Sequence, residues 1–585
     1  MRQAFGAVSL ALLAIALWNG GVQVGPDLIL HGARVYTMDE SRPWASAVAI
    51  QSGVVAAVGD DAEVLALAEE GTIVRDLGGQ MILPGFHDVH VHAVEAGINA
   101  DLCFFPSSAS LRRYEQIARA CGDDAPDADW VLGAGVFVAD LVGGSEAPID
   151  VLDRAIPDRP ALILDDLGHG AWANTAALRA AGYEESSVDP RGGILHRDSV
   201  GELSGIVFEN AQQRLRDAAW PPNRQTRNLA YSSLLASLEE LNRNGITSVS
   251  DAGGYWTRAH HTAWARALRR GKLTVRATNA LYVYPDLGLD AQLKRLRTLY
   301  SNRAGSLLRF NTAKIYVDGI LDLGTSLLAE PYLRSPAGLD LPDHGFEYFG
   351  SDLLDRYAAE LTAAGFDLHF HATGDAGVAQ ALDAIEAAGT AVRAETPSHR
   401  VTHLYLVEEA DRLRFASLGV AADLQFSPDA IDPRYARSLE RIIGRQRAAA
   451  LLPARSIQGA GATTVLSSDW DAGPLSPLGT IQRALTRRGE GVRRLEDAIR
   501  MLTLDAARVL GQDEITGSIE VGKQADLVVL DRDLFAQTPA RIGRARVLLT
   551  LLAGRAVFDG ANVLSPVPAG QSSRSASMGS IEAAR

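Results

Sequence analysis

Between residues 81 and 469, short apolar and β-branched runs alternate with longer Ala- and Leu-rich stretches. That alternation is the pattern of βα units built around a parallel sheet. Eight strand segments can be placed: Met81–His92, Ile246–Asp251, Val275–Val283, Arg309–Asp318, Asp367–Ala372, Arg400–Tyr405, Val420–Phe426 and Thr463–Asp469. Helical runs such as Arg227–Asn242, Leu353–Ala364 and Val378–Ala388 fall between several of them. Eight such units predict an α/β fold, a (β/α)8 TIM barrel over residues 83–511. The stretch from Ala93 to Gly245 exceeds one crossover, so 93–245 is expected to be an insertion over the barrel mouth.

The two ends of the chain follow a different pattern. From Asp27 to Ile82 short alternating segments such as Leu28–Leu30 and Ala47–Ile50 are broken by Gly and Asp turns. Near the other end, Gly517–Asp526 leads into Leu527–Leu530, and Arg546–Phe558 resembles paired strands. Together these predict one discontinuous β-sandwich domain assembled from 26–82 and 512–564. Residues 565–585 are Ser-, Ala- and Gly-rich without periodicity and are expected to be disordered.

At the amino terminus, Met1 and Arg2 precede an apolar run from Ala4 to Trp18. The run falls short of the ~20 apolar residues a spanning helix needs. It is followed by small and polar residues, so 1–25 is expected to be a signal peptide that exports the chain to a periplasm or beyond. The competing expectation is an uncleaved membrane anchor. Cys103 and Cys121 are the only two cysteines. An oxidising compartment would let them pair, but spacing alone does not show that they meet. They are too few for a zinc–thiolate cage.

Composition narrows the classes further. With 47% hydrophobic and 22% charged residues the chain is globular, not disordered, collagen-like or coiled-coil. A net charge of -15 supplies no basic footprint, so nucleic acid is not an expected partner. A small-molecule substrate is expected, without stable membrane insertion once the signal is removed; self-association as a homo-oligomer stays open. Only four of the 56 basic residues are lysines, so any lysine in an apolar strand needs a reason.

His90 and His92 lie two apart on the first barrel segment, so their side chains share a face. His371 and His403 stand near the ends of other segments, and Asp469 closes the eighth. At the carboxyl ends of barrel strands these are the ligand types preferred by zinc and its neighbours. Lys314 lies in the apolar run Phe310–Gly319, where an arginine would be this chain's default. A buried lysine can lose its proton, take up carbon dioxide and become a carbamate bridging two metals. An ion pair with Asp318 is the equal alternative. His369 shares a face with His371 and is a candidate to stand behind the metal ligands. His31, His196, His260, His261, His344 and His399 lack partners at ligand spacing and are expected to be surface or structural.

Taken in order, the motifs are more specific than any one alone. Pro84-Gly-Phe-x-Asp-x-His-x-His92, Lys314-x-x-x-Asp-Gly319, His371-Ala-x-Gly-Asp375, His403, Ser468-Asp469 and Gly517-Ser-Ile-x-x-Gly-Lys-x-Ala-Asp-Leu527 resemble the amidohydrolase superfamily. The chain looks like its amidohydrolase-3 branch, the group similar to N-substituted formamide deformylases. The resemblance implies one or two divalent ions, zinc or a similar metal, held by His90, His92, His371, His403 and Asp469, with Lys314 as an N-carboxylated bridge. It implies Asp469, Lys314 and His371 as catalytic residues in hydrolysis of a non-peptide carbon–nitrogen bond. Gly168-His-Gly-Ala-Trp-x-Asn174 resembles the branch's insertion motif, which implies that His169, Trp172 and Asn174 line the substrate pocket. Two departures stand out: His87 replaces an apolar residue before Asp88, and Thr402 occupies a place where the branch often carries an acid. The same site is compatible with lactone or phosphoester hydrolysis or ring deamination. A non-catalytic binding protein would be expected to have lost ligands, and none is missing.

Overall fold

The computed structural model describes residues 25–144, 146–334, 341–389 and 398–565. The predicted signal over 1–25, except Gly25, and the predicted tail over 565–585, except Ser565, lie outside the described residues. Among the described residues no helix is long and apolar enough to cross a membrane.

Eight parallel strands form one sheet in chain order: β1 Phe86–Val91, β2 Ile246–Gly254, β3 Arg276–Tyr282, β4 Leu308–Tyr316, β5 Asp367–Ala372, β6 Arg400–His403, β7 Ala421–Leu424 and β8 Thr464–Leu466. The sheet curls nearly closed. Just beyond β8, the Asp469 amide donates to the His90 carbonyl at 3.0 Å, and Val91 bridges to Trp470. Helices such as Arg224–Arg243, Ser351–Ala363 and Asp375–Ala387 connect the strands. The first of these is started by Asn223, whose side chain accepts from the Thr226 amide at 3.0 Å. It turns Leu234, Leu238 and Leu241 into the core at helical spacing.

The segment expected as one strand over Met81–His92 is two strands in two sheets. Met81–Pro84 pairs antiparallel with Leu527–Leu530, while Phe86–Val91 enters the barrel. Gly85 is the joint: its amide donates to the Asp526 carbonyl at 2.8 Å, and a side chain there would come within 2.2 Å of Thr247 Oγ1. The sixth and eighth segments also end earlier than their apolar runs. His403, Leu404 and Asp469 adopt φ of 78°, 52° and 55°, a left-handed region that stops the strand and turns the chain.

Strands from both ends of the chain share a six-stranded sheet: Trp44–Ala45, Arg34–Tyr36, Met81–Pro84, Leu527–Leu530, Val547–Leu552 and Arg555–Asp559. A four-stranded sheet of Leu28–His31, Ala47–Gln51, Val54–Gly59 and Ile73–Asp76 packs on it through Leu30, Val48, Ile82, Val529 and Leu551. Between β1 and the helix that leads to β2, residues 103–209 build a further six-stranded sheet. Its core contains Phe105, Tyr114, Ile163, Trp172 and Phe208. Cys103 and Cys121 are joined by a disulfide that ties the edge strand Cys103–Phe104 to helix Leu111–Asp124.

Candidate metal centre

Strand alternation puts Asp88 and His90 on one face of β1, and His92 follows immediately after its last residue. The Asp88 carboxylate accepts from the His90 amide at 3.2 Å and from the Ser468 amide at 3.1 Å, tying β1 to the turn that carries Asp469. Asp469 Oδ1 then lies 3.2 Å from His90 Nε2 and 3.5 Å from His92 Nε2, and Oδ2 lies 3.9 Å from His403 Nδ1. The rings of His371 and His403 approach to 4.3 Å, and those of His90 and His403 to 5.1 Å. Lys314 Nζ is 3.3 Å from His90 Nε2. All six residues expected as metal ligands therefore converge, although they come from four strands and the turn after β8.

Hydrogen bonds behind these side chains engage one nitrogen of each of three imidazoles and leave the other outside those bonds. His92 Nδ1 meets Glu95 Oε2 at 3.2 Å, and His90 Nδ1 meets Thr402 Oγ1 at 2.9 Å. His371 Nε2 donates to the Gly319 carbonyl at 3.1 Å, so its proton is on that nitrogen and Nδ1 is left buried without a partner. An unprotonated, unpartnered imidazole nitrogen inside a protein is what a metal ligand needs. The donor set thus fits a divalent cation.

The electrostatics point the same way. Burial, reinforced by the charge of Lys314, holds His90 well below the usual imidazole range. Burial also keeps His371 and His403 neutral. At His92 burial acts downward, but hydrogen bonds to Asp469 and Glu95 outweigh it and carry the ring up to about 10. Those two carboxylates favour positive charge at His92, and a cation at Nε2 would take the proton's place. Burial pushes Asp469 up, yet His90, His92 and His403 together hold it well below the usual carboxylate range. Burial brings the Lys314 ammonium down to about 7.

Lys314 does not pair with Asp318. That carboxylate is taken by the amides of Leu327, Thr373 and Gly374 at 2.9, 3.0 and 2.8 Å. A second close group, His90, His369 and Asp423, has ligand atoms within 4.8 Å of one another. Thr402 engages His90 and Asp423, and Arg400 Nη2 donates to His369 Nδ1 at 2.9 Å, so all three residues of this group already have hydrogen-bond partners. His369 instead packs edge-on behind His90 at 4.7 Å.

Beside these side chains lies a cavity of about 400 Å³, a size suited to a small molecule. Its walls include Tyr255, Tyr282, Tyr316 and Tyr348, and the Tyr316 ring stacks on His371 at 4.2 Å. His169 reaches this cavity from the insertion, where its Nδ1 is 2.6 Å from Glu209 Oε2. Trp172 and Asn174 do not line it. Trp172 is buried in the insertion's own core with Nε1 donating to the Pro148 carbonyl at 3.0 Å. Asn174 caps helix Thr175–Ala180, its Oδ1 accepting from the Ala177 and Ala161 amides at 2.9 Å each. Of three neighbours in the insertion motif, only His169 faces the cavity.

Sequence reasoning missed Glu95, Glu209 and Asp423. Glu95 had a local signal, three residues after His92 at a helix start. Asp423 had another, a charge inside the apolar run Ala421–Leu424. Glu209 had none, because it finds His169 only through the pairing of strands Gly170–Ala173 and Leu203–Glu209.

A model of the amidohydrolase family matches residues 74–558. The chain belongs to that family. This amidohydrolase is 28% identical over 551 residues to the N-substituted formamide deformylase of Arthrobacter pascens, covering 90% of this chain and 97% of that one. It resembles the crystal structure of an uncharacterized metal-dependent hydrolase from Pyrococcus horikoshii OT3 with a TM-score of 0.69 at 23% identity, over 88% of this chain and 99% of that one. An adenosine deaminase from Xanthomonas campestris, solved with bound zinc, shares the fold at a TM-score of 0.52 and 14% identity, over 92% of this chain and 93% of that one. The protein is thus an enzyme of the amidohydrolase family on a barrel scaffold.

Proposed function

We propose that this amidohydrolase cleaves a non-peptide carbon–nitrogen bond in a small amide-type molecule. The observation that carries the reading is the buried Nδ1 of His371, unpartnered in a ring that packs 4.3 Å from His403, beside the cluster of His90, His92 and Asp469. Support comes from the Arthrobacter relative, whose name states deformylation of N-substituted formamides. His90, His92, His371, His403 and Asp469 would hold the ion, with Lys314, whose amine is half neutral near pH 7, as a carbamate bridge. Zinc is the ion of choice, given the imidazole-rich donors and the zinc in the Xanthomonas structure.

When bound, the metal supplies Lewis acidity and lowers the pKa of water to ~7. Asp469 accepts the proton of the attacking water and returns it to the departing nitrogen, acting first as base and then as acid. His169, oriented by Glu209 and lining the same cavity as Asp469, would polarise the substrate carbonyl. The tyrosine walls exclude bulk water and position the rest of the molecule.

The disulfide between Cys103 and Cys121 supports export to an oxidising compartment. Metal analysis of protein purified without added zinc, with activity on amide, ester and phosphoester panels before and after chelation, tests the whole reading. Full amide hydrolysis by metal-free protein would overturn it.

A further inference from the structure

We propose that Thr402 and Asp423 are positioning residues that lock His90 in the one tautomer able to bind a cation. This inference rests on the metal-centre reading above.

The assignment follows from counting protons in a sealed network. His90, Thr402 and Asp423 are all 0% exposed, so bulk water does not compete for their hydrogen bonds. The Thr402 hydroxyl has one proton to give and two lone pairs to fill. It lies 2.9 Å from Asp423 Oδ2, 2.8 Å from Gln425 Nε2 and 2.9 Å from His90 Nδ1. Asp423 takes a second hydroxyl through Oδ1, from Ser467 at 2.7 Å, and Ser467 in turn accepts from Gln425 Nε2 at 2.6 Å. The Thr402 proton therefore goes to Asp423, and its lone pairs receive Gln425 and His90. For the last bond to exist, His90 must carry its hydrogen on Nδ1. Nε2 is then bare, and it is the nitrogen that faces Asp469 at 3.2 Å and Lys314 at 3.3 Å.

A carboxylate usually orients a metal-bound histidine by direct contact. Here Asp423 is 3.7 Å from His90 Nδ1 and works through the intervening hydroxyl. Thr402 and Asp423 sit on neighbouring strands in register, β6 and β7, so the relay is built into the barrel wall. It also accounts for a hydroxyl at a position where the motif pattern anticipates an acid.

The test is zinc affinity, measured by competition with a chromophoric chelator on the full-length protein and its Thr402→Val, Thr402→Ala, Thr402→Ser and Asp423→Asn variants. Val and Ala remove the hydroxyl and should weaken zinc binding by about 10–100-fold. Ser restores the hydroxyl and should return affinity to the parent's. Asn cannot accept from both hydroxyls and should weaken zinc in the same direction as Val. Nitrogen-15 spectra of the zinc-loaded parent should show His90 protonated at Nδ1. Should the Val variant fail to fold, the smaller Ala variant carries the same comparison. Parental zinc affinity in a hydroxyl-free variant, or equal weakening in Ser and Ala, overturns the relay alone. A parent that binds no zinc overturns the metal-centre reading and the relay with it.

Discussion

The carboxylate of Glu209 meets His169 Nδ1 at 2.6 Å and holds the ring at the cavity from outside the barrel. Glu209 is 1% exposed, and it also accepts from Tyr348 OH at 2.6 Å and Thr325 Oγ1 at 2.5 Å. Its backbone φ is 54°, a conformation that costs a non-glycine residue about 1–3 kcal/mol. Gly319 makes room for it, since a side chain there would come within 2.2 Å of Glu209 Oε1. The same Gly319 offers its carbonyl to His371 Nε2 at 3.1 Å. One small residue thus joins the insertion's acid to His371.

If His169 polarises the substrate carbonyl, His169→Ala should lower kcat by about 10²–10³-fold with zinc content unchanged. Glu209→Gln should lower kcat in the same direction by less, because the ring stays but loses a charge-assisted bond. Steady-state kinetics with metal analysis on both variants checks this. Wild-type kcat in His169→Ala would remove the residue from the chemistry.

If Asp469 is the base of the proposed mechanism, replacing it by Asn removes that base while nearly conserving shape. Turnover should fall by about 10²–10⁴-fold with the fold intact by circular dichroism. Near-normal turnover would assign the proton transfers to another group.

Lys314 separates a two-metal centre from a single-metal one. Lys314→Ala should lose one ion and most activity, and a short carboxylic acid in excess should restore part of both by filling the vacated bridge. Lys314→Arg should not be rescued, since guanidinium cannot form the carbamate and repels the metals. Unchanged metal stoichiometry in Lys314→Ala, with no response to acid, would leave lysine without a bridging role.

Chelation should abolish hydrolysis, and zinc at about one to two equivalents should restore it. Retained turnover after exhaustive dialysis against chelator would contradict a metal-dependent mechanism.

His87 makes stability pH-dependent. It is 0% exposed; Nδ1 donates to the Gly85 carbonyl at 3.0 Å and Nε2 is buried without a partner. Burial lowers its pKa to about 4, whereas the unfolded chain's imidazole titrates near ~6.5. Above ~6.5 both states are neutral and the full stability is present. As pH falls from there toward 4, the unfolded chain takes up a proton that the folded one refuses, and up to about 3 kcal/mol is lost. Buried His260 and His261 add in the same sense. Thermal unfolding across this range should show His87→Leu to be less acid-sensitive than the parent. An identical pH slope in the two proteins would contradict the buried, neutral His87.

Much of the barrel was legible in the chain because apolar periodicity is local. Strands β2 to β5 and the helices between them follow from runs of five to a dozen residues, as do His90 and His92, whose shared face needs only the two-residue repeat of a strand. The ligand-type residues at other strand ends were legible for a related reason: polar groups stand out where an apolar run stops. The split of Met81–His92 at Gly85 was not legible, since it depends on Leu527–Leu530 and Thr247 arriving from elsewhere.

What only the tertiary structure decided is which polar groups meet. Thr402 reaches His90 across 312 residues and His169 reaches Glu209 across 40, and no local pattern encodes either pairing. Lys314 and Asp318 were equal partners on spacing, until three backbone amides claimed the carboxylate and left the lysine facing His90. Trp172 and Asn174 stand beside His169 in the chain, yet one packs into the insertion's core and the other caps a helix. The sequence determined the residue types and the faces of single strands. Hydrogen bonds between distant segments form only within a few ångströms, so their pairing was decided only when the barrel closed and the insertion docked.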